Sequence, residues 1–274
     1  MRDNNIQWTL WAGTVGYESS VRARVDAAVG GGFDRLSLTP IDVTSSHRSP
    51  GELGREVRDA GVDIELEGLM TWYPGHRPAD IPLAAFSAED VLRMAEELEA
   101  VSLTALAGPT CDLPVDAVAG YFAEICDRAA DIGARVQLEF TPVMAIADLP
   151  SARTIVDTAA RANGGLMFDT WHFFRGNPDF AALESLSGEQ VFAVQISDGG
   201  AQVQGSLVED TFLRRLPGDG CFDLVRVVRV LDRIGALGRV GPEVISPVTA
   251  AMSASEAARV GRERTAALIA RALS

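Results

Sequence analysis

The chain has 274 residues, 47% of them hydrophobic, a formal net charge of −14 and no lysine among its 24 basic residues. That is enough apolar chain for one large core, while the negative balance speaks against a nucleic-acid partner, whose phosphates need clustered cations. The missing amine excludes Schiff-base aldolases, pyridoxal-phosphate enzymes and P-loop NTPases, each of which uses a lysine.

Short, nearly continuous apolar runs alternate with helical patterns along the whole chain. Strands are expected over residues 6–12, 33–38, 62–69, 103–107, 135–140, 165–169, 191–196 and 240–245, with the unbroken hydrophobicity of parallel strands covered on both faces. Helical patterns follow them over 20–29, 51–60, 88–100, 115–132, 149–162, 179–187, 222–234 and 253–273. Ser87 with Asp90, and Ser253 with Ser255, are placed to cap two of these helices. Glycines at 30–32, 61, 133, 164–165, 235 and 238 fit the turns that end a helix before the next strand. Because Gly30–Gly32 precede a strand, they form no dinucleotide loop. Eight strands interleaved with eight helices predict an α/β protein, a single (β/α)8 TIM-barrel domain over 1–274.

Cys111, Cys126 and Cys221 are widely spaced and form no CxxC pair, so reduced thiols are expected rather than a disulfide framework. The start lacks the basic-then-apolar layout of a signal peptide, and no apolar run is long enough to cross a bilayer. A cytoplasmic location with no membrane partner is therefore expected.

In such a barrel the chemistry sits at the C-terminal ends of the strands. Four successive strands end in polar residues: Glu139, Asp169, Gln195 and Glu243. Each alone would read as a strand-end group paired with an arginine or a helix N-terminus. Together they would repel at one barrel mouth unless a shared cation joined them. An all-oxygen donor set suits Mn²⁺ or Mg²⁺ best, with Co²⁺ or Zn²⁺ as further candidates. His172, three residues after Asp169, can face the same mouth. His47, His76, Trp11, Trp72 and Trp171 also follow or end predicted strands; Trp11 and His76 are candidate substrate contacts. Arg214, in Arg214-Arg215-Leu216-Pro217-Gly218-Asp219-Gly220, is a candidate for a distal substrate group.

These motifs resemble those of the sugar phosphate isomerase/epimerase superfamily, the xylose-isomerase-like TIM barrels, most strongly from Gln137 to Ser246. The resemblance implies that Glu139, Asp169, Gln195 and Glu243 ligate one divalent metal, that His172 contacts substrate, and that Arg214 opens the conserved turn of the family. Ketose 3-epimerases usually carry histidine where this chain has Gln195; 3-dehydroshikimate dehydratases carry glutamine there, with an aspartate three residues later, matched by Asp198. Barrels of this family often pair, which implies a homo-oligomer.

The expected reaction is α-proton abstraction from a small polyhydroxylated ketone or sugar through a metal-stabilised enediolate, with Glu139 and Glu243 as the acid–base pair. Isomerisation and epimerisation share that intermediate with the alternative, loss of a β-hydroxyl in a dehydratase (lyase) reaction. An abasic-site endonuclease would need a histidine-rich zinc site and a basic groove, and three histidines at net charge −14 argue against it. A non-catalytic barrel would be free to lose the acid set.

Overall fold

The computed structural model describes residues 6–75 and 78–274. Eight parallel strands close in chain order into a barrel: β1 (Gln7–Leu10), β2 (Arg35–Leu38), β3 (Asp63–Leu69), β4 (Ser102–Leu106), β5 (Arg135–Glu139), β6 (Gly164–Asp169), β7 (Val191–Ile196) and β8 (Arg239–Pro242). The seam closes where Gln7 and Trp8 of β1 register with Arg239 and Val240 of β8. Every residue of β2 and of β7 is buried, as expected of strands with the barrel interior on one side and helices on the other.

The outer helices are α1 (Val21–Gly31), α2 (Pro50–Asp59), α3 (Ala88–Leu98), α4 (Val115–Asp131), α5 (Leu149–Ala159), α6 (Phe180–Glu184), α7 (Leu224–Ile234) and α8 (Ala254–Leu273). Capping boxes start α2 at Ser49–Glu52 and α3 at Ser87–Asp90, while Asp148 and Ser253 cap α5 and α8. Helices α3 and α5 stop before the expected ends at Ala100 and Ala162, because Glu99 and Ala160 turn into the left-handed region at φ 53° and 52°. Short helices that the pattern does not announce follow several strands: Ala12–Val15, Pro40–Ser45, Thr170–Arg175, Leu207–Asp210 and Pro247–Ala250. All lie at the C-terminal face, in the segments that carry the polar residues.

The eighth strand ends at Pro242 rather than Ile245. Glu243 still keeps pace with β7, since its N–H donates to the Ile196 carbonyl at 3.0 Å. One glycine makes the closure possible: a Cβ on Gly241 would stand 1.8 Å from the Thr9 carbonyl oxygen.

Inside the barrel, Glu65 is fully buried and accepts from Thr9 and Ser102 at 3.0 Å and from Gln137 at 3.1 Å. Arg35 and Arg239 stand 3.9 Å from the same carboxylate. Trp11, Met167 and Ala193 form a small separate apolar cluster. Met167 and Ala193 precede Asp169 and Gln195 by two residues, so they share their face one layer below. Among the described residues no helix is long and apolar enough to cross a membrane.

Candidate active site

A cavity of ≈ 410 Å³ opens at the barrel mouth, lined by residues at or just beyond the ends of all eight strands. That volume lies near the lower end of the roughly 300–1,000 Å³ typical of small-ligand sites. Glu139, Gln195 and Glu243 reach its wall, with His172 and Arg214; Asp169 lies behind them with no exposed surface. All six residues are at most 8% exposed.

Asp169 ends β6 and caps the helix Thr170–Arg175, its Oδ1 accepting from the His172 N–H at 2.9 Å. That turn of helix carries His172 inward, so its Nε2 stands 3.2 Å from Glu139 Oε1. Donor atoms of Glu139, Asp169 and His172 lie within 4.8 Å of one another. Gln195 Oε1 is buried with no hydrogen-bond partner, and an orphaned carbonyl oxygen in such a place calls for a ligand. Acidic oxygens, one amide oxygen and an imidazole form a donor set that fits a divalent cation, and the imidazole brings zinc and cobalt within its range.

Glu243 stands on the other side of Arg214. The guanidinium Nη1 lies 2.7 Å from Asp169 Oδ2 and donates to the Glu243 backbone carbonyl at 3.2 Å and to its Oε2 at 3.5 Å. Its Cζ sits 5.2 Å from the Trp171 ring centroid. The sequence suggested that Arg214 reaches a distal substrate group; the structure places it on the cavity wall, between two of the acids. Asp198 builds the turn that follows Arg214. Its two oxygens accept from the N–H groups of Gly199, Gly218, Gly220 and Phe222 at 2.9–3.1 Å, and a Cβ on Gly220 would stand 2.2 Å from Asp198 Oδ1. Arg215 borders a neighbouring surface hollow, which Arg214 also reaches, and not this cavity. The loop is further held by Arg175, paired with buried Asp210 at 2.7 Å.

Burial drives the electrostatics. It pushes the Glu243 carboxyl well above the usual carboxylate range; Arg214 opposes this, and Glu67, Asp169 and Glu139 add to it. Burial also works against the Asp169 carboxylate, but Arg214 and His172 outweigh it and hold that group below its ordinary value.

Two residues at the mouth were not anticipated. Glu67, near the end of β3, lines the cavity; burial, then Glu139 and Glu65, push its carboxyl well above the usual range, while a hydrogen bond from Ser37 opposes this. Its signal was present in the alternation Ile64-Glu65-Leu66-Glu67, a period-two polar face in a strand otherwise apolar. Tyr17, beyond β1, lines the cavity while about half of its surface stays in solvent, at 49% exposure. Burial of its phenol, with Glu243 and Glu67, raises it well above the usual tyrosine value, so it remains a donor. No sequence pattern marks it.

Other expectations move. Trp11 is fully buried beside Met167 and Ala193, under the site rather than on the cavity wall. Trp72 is buried against Tyr73 and Phe122, its Nε1 donating to the Leu106 carbonyl, and Trp171 lies behind Arg214. In each case the ring fills space that the barrel excludes from water. His47 is exposed and away from the cavity. His76 lies outside the described residues.

A family model described as xylose isomerase-like TIM barrel matches residues 26–265. An inosose isomerase of Bacillus velezensis is 29% identical over 148 residues, 53% of this chain and 52% of that protein, so the chain spans about half the length of that relative. A 3-dehydroshikimate dehydratase of Pseudomonas aeruginosa is 25% identical over 242 residues, 85% of this chain and 37% of that protein. Among solved structures, the IOLI protein with a bound zinc atom superposes with a TM-score of 0.84 at 20% identity, covering 97% of this chain and 99% of the other.

Proposed function

Since the chain belongs to the xylose isomerase-like TIM barrel family, we propose that it is a divalent-metal-dependent isomerase or epimerase of a small polyhydroxylated ketone or sugar. The observation that carries this reading is the convergence of Glu139, Asp169 and His172 donor atoms within 4.8 Å beside the unpartnered Gln195 Oε1. Glu139, Asp169, Gln195 and Glu243 would hold the metal, with His172 as an alternative donor; manganese and magnesium suit the oxygens, and the zinc of the IOLI structure extends the choice. A cation held there would supply Lewis acidity toward a substrate carbonyl, which would make the neighbouring proton removable.

The protein's residues do the rest. Glu139 from β5 and Glu243 after β8 face the substrate from different sides of the mouth; one removes the α-proton and the other returns it. His172 orients Glu139 through the 3.2 Å contact. Arg214 keeps Asp169 anionic and sets the position of Glu243. Tyr17 donates to a substrate oxygen. Buried side chains at the rim exclude water from the transferred proton.

The dehydratase reading has its own support in the Pseudomonas relative and in Gln195 with Asp198. It predicts an enone or aromatic product with new ultraviolet absorption. The test of the main reading is proton exchange: the chain loaded with Mn²⁺ incorporates solvent deuterium α to the carbonyl of a polyhydroxylated ketone, and chelation abolishes it. Exchange that survives chelation would remove the metal from the scheme.

A further inference from the structure

Arg24 stands in an unusual place for a charged residue. It lies near the start of α1, outside the barrel, and has no exposed surface. Taking a guanidinium wholly out of water is costly, and an apolar side chain of similar volume would fill the same space without that penalty. Its Nη2 donates to the backbone carbonyl of Tyr17 at 2.7 Å, and its Nη1 stands 2.9 Å from Asp42 Oδ2. A planar fork with donors at both tips holds two acceptors at a fixed separation, which a single ammonium group cannot do.

Both acceptors belong to segments that reach the cavity. Asp42 Oδ2 also accepts from the Thr39 N–H and hydroxyl, each at 2.8 Å, in the capping box of the helix Pro40–Ser45. Thr39, Ile41 and Asp42 line the cavity after β2, and Tyr17 lines it after β1, whereas Arg24 is not on that wall. Tyr17 follows Gly16, which sits at φ 81° in open space, with nothing within 4 Å of where a Cβ would stand. The Tyr17 phenol lies close enough to Glu243 and Glu67 for both carboxylates to act on it. Arg24 thus ties a turn that pivots on a glycine to a helix start that is anchored by its own cap.

We propose that Arg24 is a positioning residue: it fastens the Tyr17 turn to the corner after β2 and so sets the phenol at the barrel mouth, where it donates to the substrate. This rests on the proton-transfer reading above, in which Tyr17 meets a substrate oxygen; Arg24 acts through Tyr17 without touching the substrate itself.

The test uses the full chain loaded with Mn²⁺ and the ketone that the parent exchanges fastest among an inosose, D-fructose and 3-dehydroshikimate. Arg24→Met should lower kcat/KM for deuterium exchange by about tenfold or more, because a misplacement of about 1 Å can cost on the order of a hundredfold. Tyr17→Phe should lose a similar factor, and the double variant no more than the worse single one, since the two residues act as a unit. Arg24→Lys, which serves one acceptor at a time, should fall between the parent and Arg24→Met. Mn²⁺ affinity should be held in all of them. Fluorine NMR of the chain carrying 3-fluorotyrosine at its three tyrosines gives a readout free of activity. The Tyr17 line, identified by its absence in Tyr17→Phe, should shift in Arg24→Met while the lines of Tyr73 and Tyr121 stay. The proposal is overturned if either single variant exchanges like the parent, if the two losses multiply in the double variant, if Mn²⁺ affinity falls in step with exchange, or if the Tyr17 line does not move. Should the parent exchange none of the ketones, the proton-transfer reading falls instead, and the fluorine line still decides whether Arg24 sets Tyr17. Should Arg24→Met fail to fold, Arg24→Lys is judged by the same readouts.

Discussion

Replacing Arg214 by methionine isolates the electrostatics of the barrel mouth. The guanidinium stands 2.7 Å from Asp169 and 3.5 Å from Glu243, and all three side chains are at most 6% exposed. Charge centres about 4 Å apart attract by about 4 kcal/mol at an effective dielectric near 20. Removing one partner of a buried pair costs about 3–5 kcal/mol, because the stranded charge stays desolvated. Methionine retains an apolar stem against Trp171, so lost packing adds little. At roughly 2 °C per kcal/mol for a chain of this size, the metal-stripped variant should melt about 6–10 °C below the metal-stripped parent. A divalent cation brings positive charge to the same carboxylates, so saturating Mn²⁺ should recover at least about half of that loss. Thermal melts followed by circular dichroism, in chelator and in Mn²⁺, measure both. A loss smaller than about 2 °C in chelator, or an equal loss with and without Mn²⁺, would refute the claim that Arg214 and the metal neutralise one acid cluster.

Glu243→Gln should slow deuterium exchange by about 10²–10⁴-fold, the usual worth of a positioned acid or base; near-parental exchange would take Glu243 out of the acid–base pair. Asp198→Ala strands the turn N–H groups that hold Arg214 in place. It should destabilise the chain by about 3 kcal/mol or more in urea unfolding; Asp198→Asn, which keeps one acceptor oxygen, should cost less, and equal costs would count against the turn's dependence on the carboxylate. The pH dependence of the metal-stripped protein follows from Glu67 and Glu243, both held above their ordinary values. A carboxyl raised on folding contributes stability in full below its unfolded value and loses it as pH rises through the folded one. Melting temperature in chelator should therefore fall as pH climbs above the ordinary glutamate range, more steeply than in Glu67→Gln; parallel profiles would rule Glu67 out as a source. Gly241→Ala should prevent stable closure of the β1–β8 seam, visible as loss of cooperative unfolding, because its Cβ would overlap the Thr9 carbonyl.

Much of the fold was legible because parallel strands buried on both faces are mostly apolar. Strand β7 was read with its observed limits, Val191–Ile196, and β8 was read too long because Val244 and Ile245 continue the apolar pattern past Pro242, where the strand ends. The strand-end polar residues stood out for the same reason: an apolar core has no use for Glu139, Asp169, Gln195 or Glu243. Glu67 carried a similar signal in β3, masked by the equally polar Glu65 two residues before, which the barrel interior satisfies with hydroxyls and an amide.

Composition and periodicity by themselves determined the eight-fold alternation, the absence of lysine chemistry and the identity of the strand-end acids, since these depend on local pattern and residue type. Which way the side chains beyond the strands point was decided only by the tertiary structure. Trp11 turns beneath the site, Arg214 inward between Asp169 and Glu243, and Tyr17 over the cavity. Those directions depend on strand stagger and on turns such as the one gathered by Asp198, whose partners lie up to 24 residues away, beyond the reach of any local pattern.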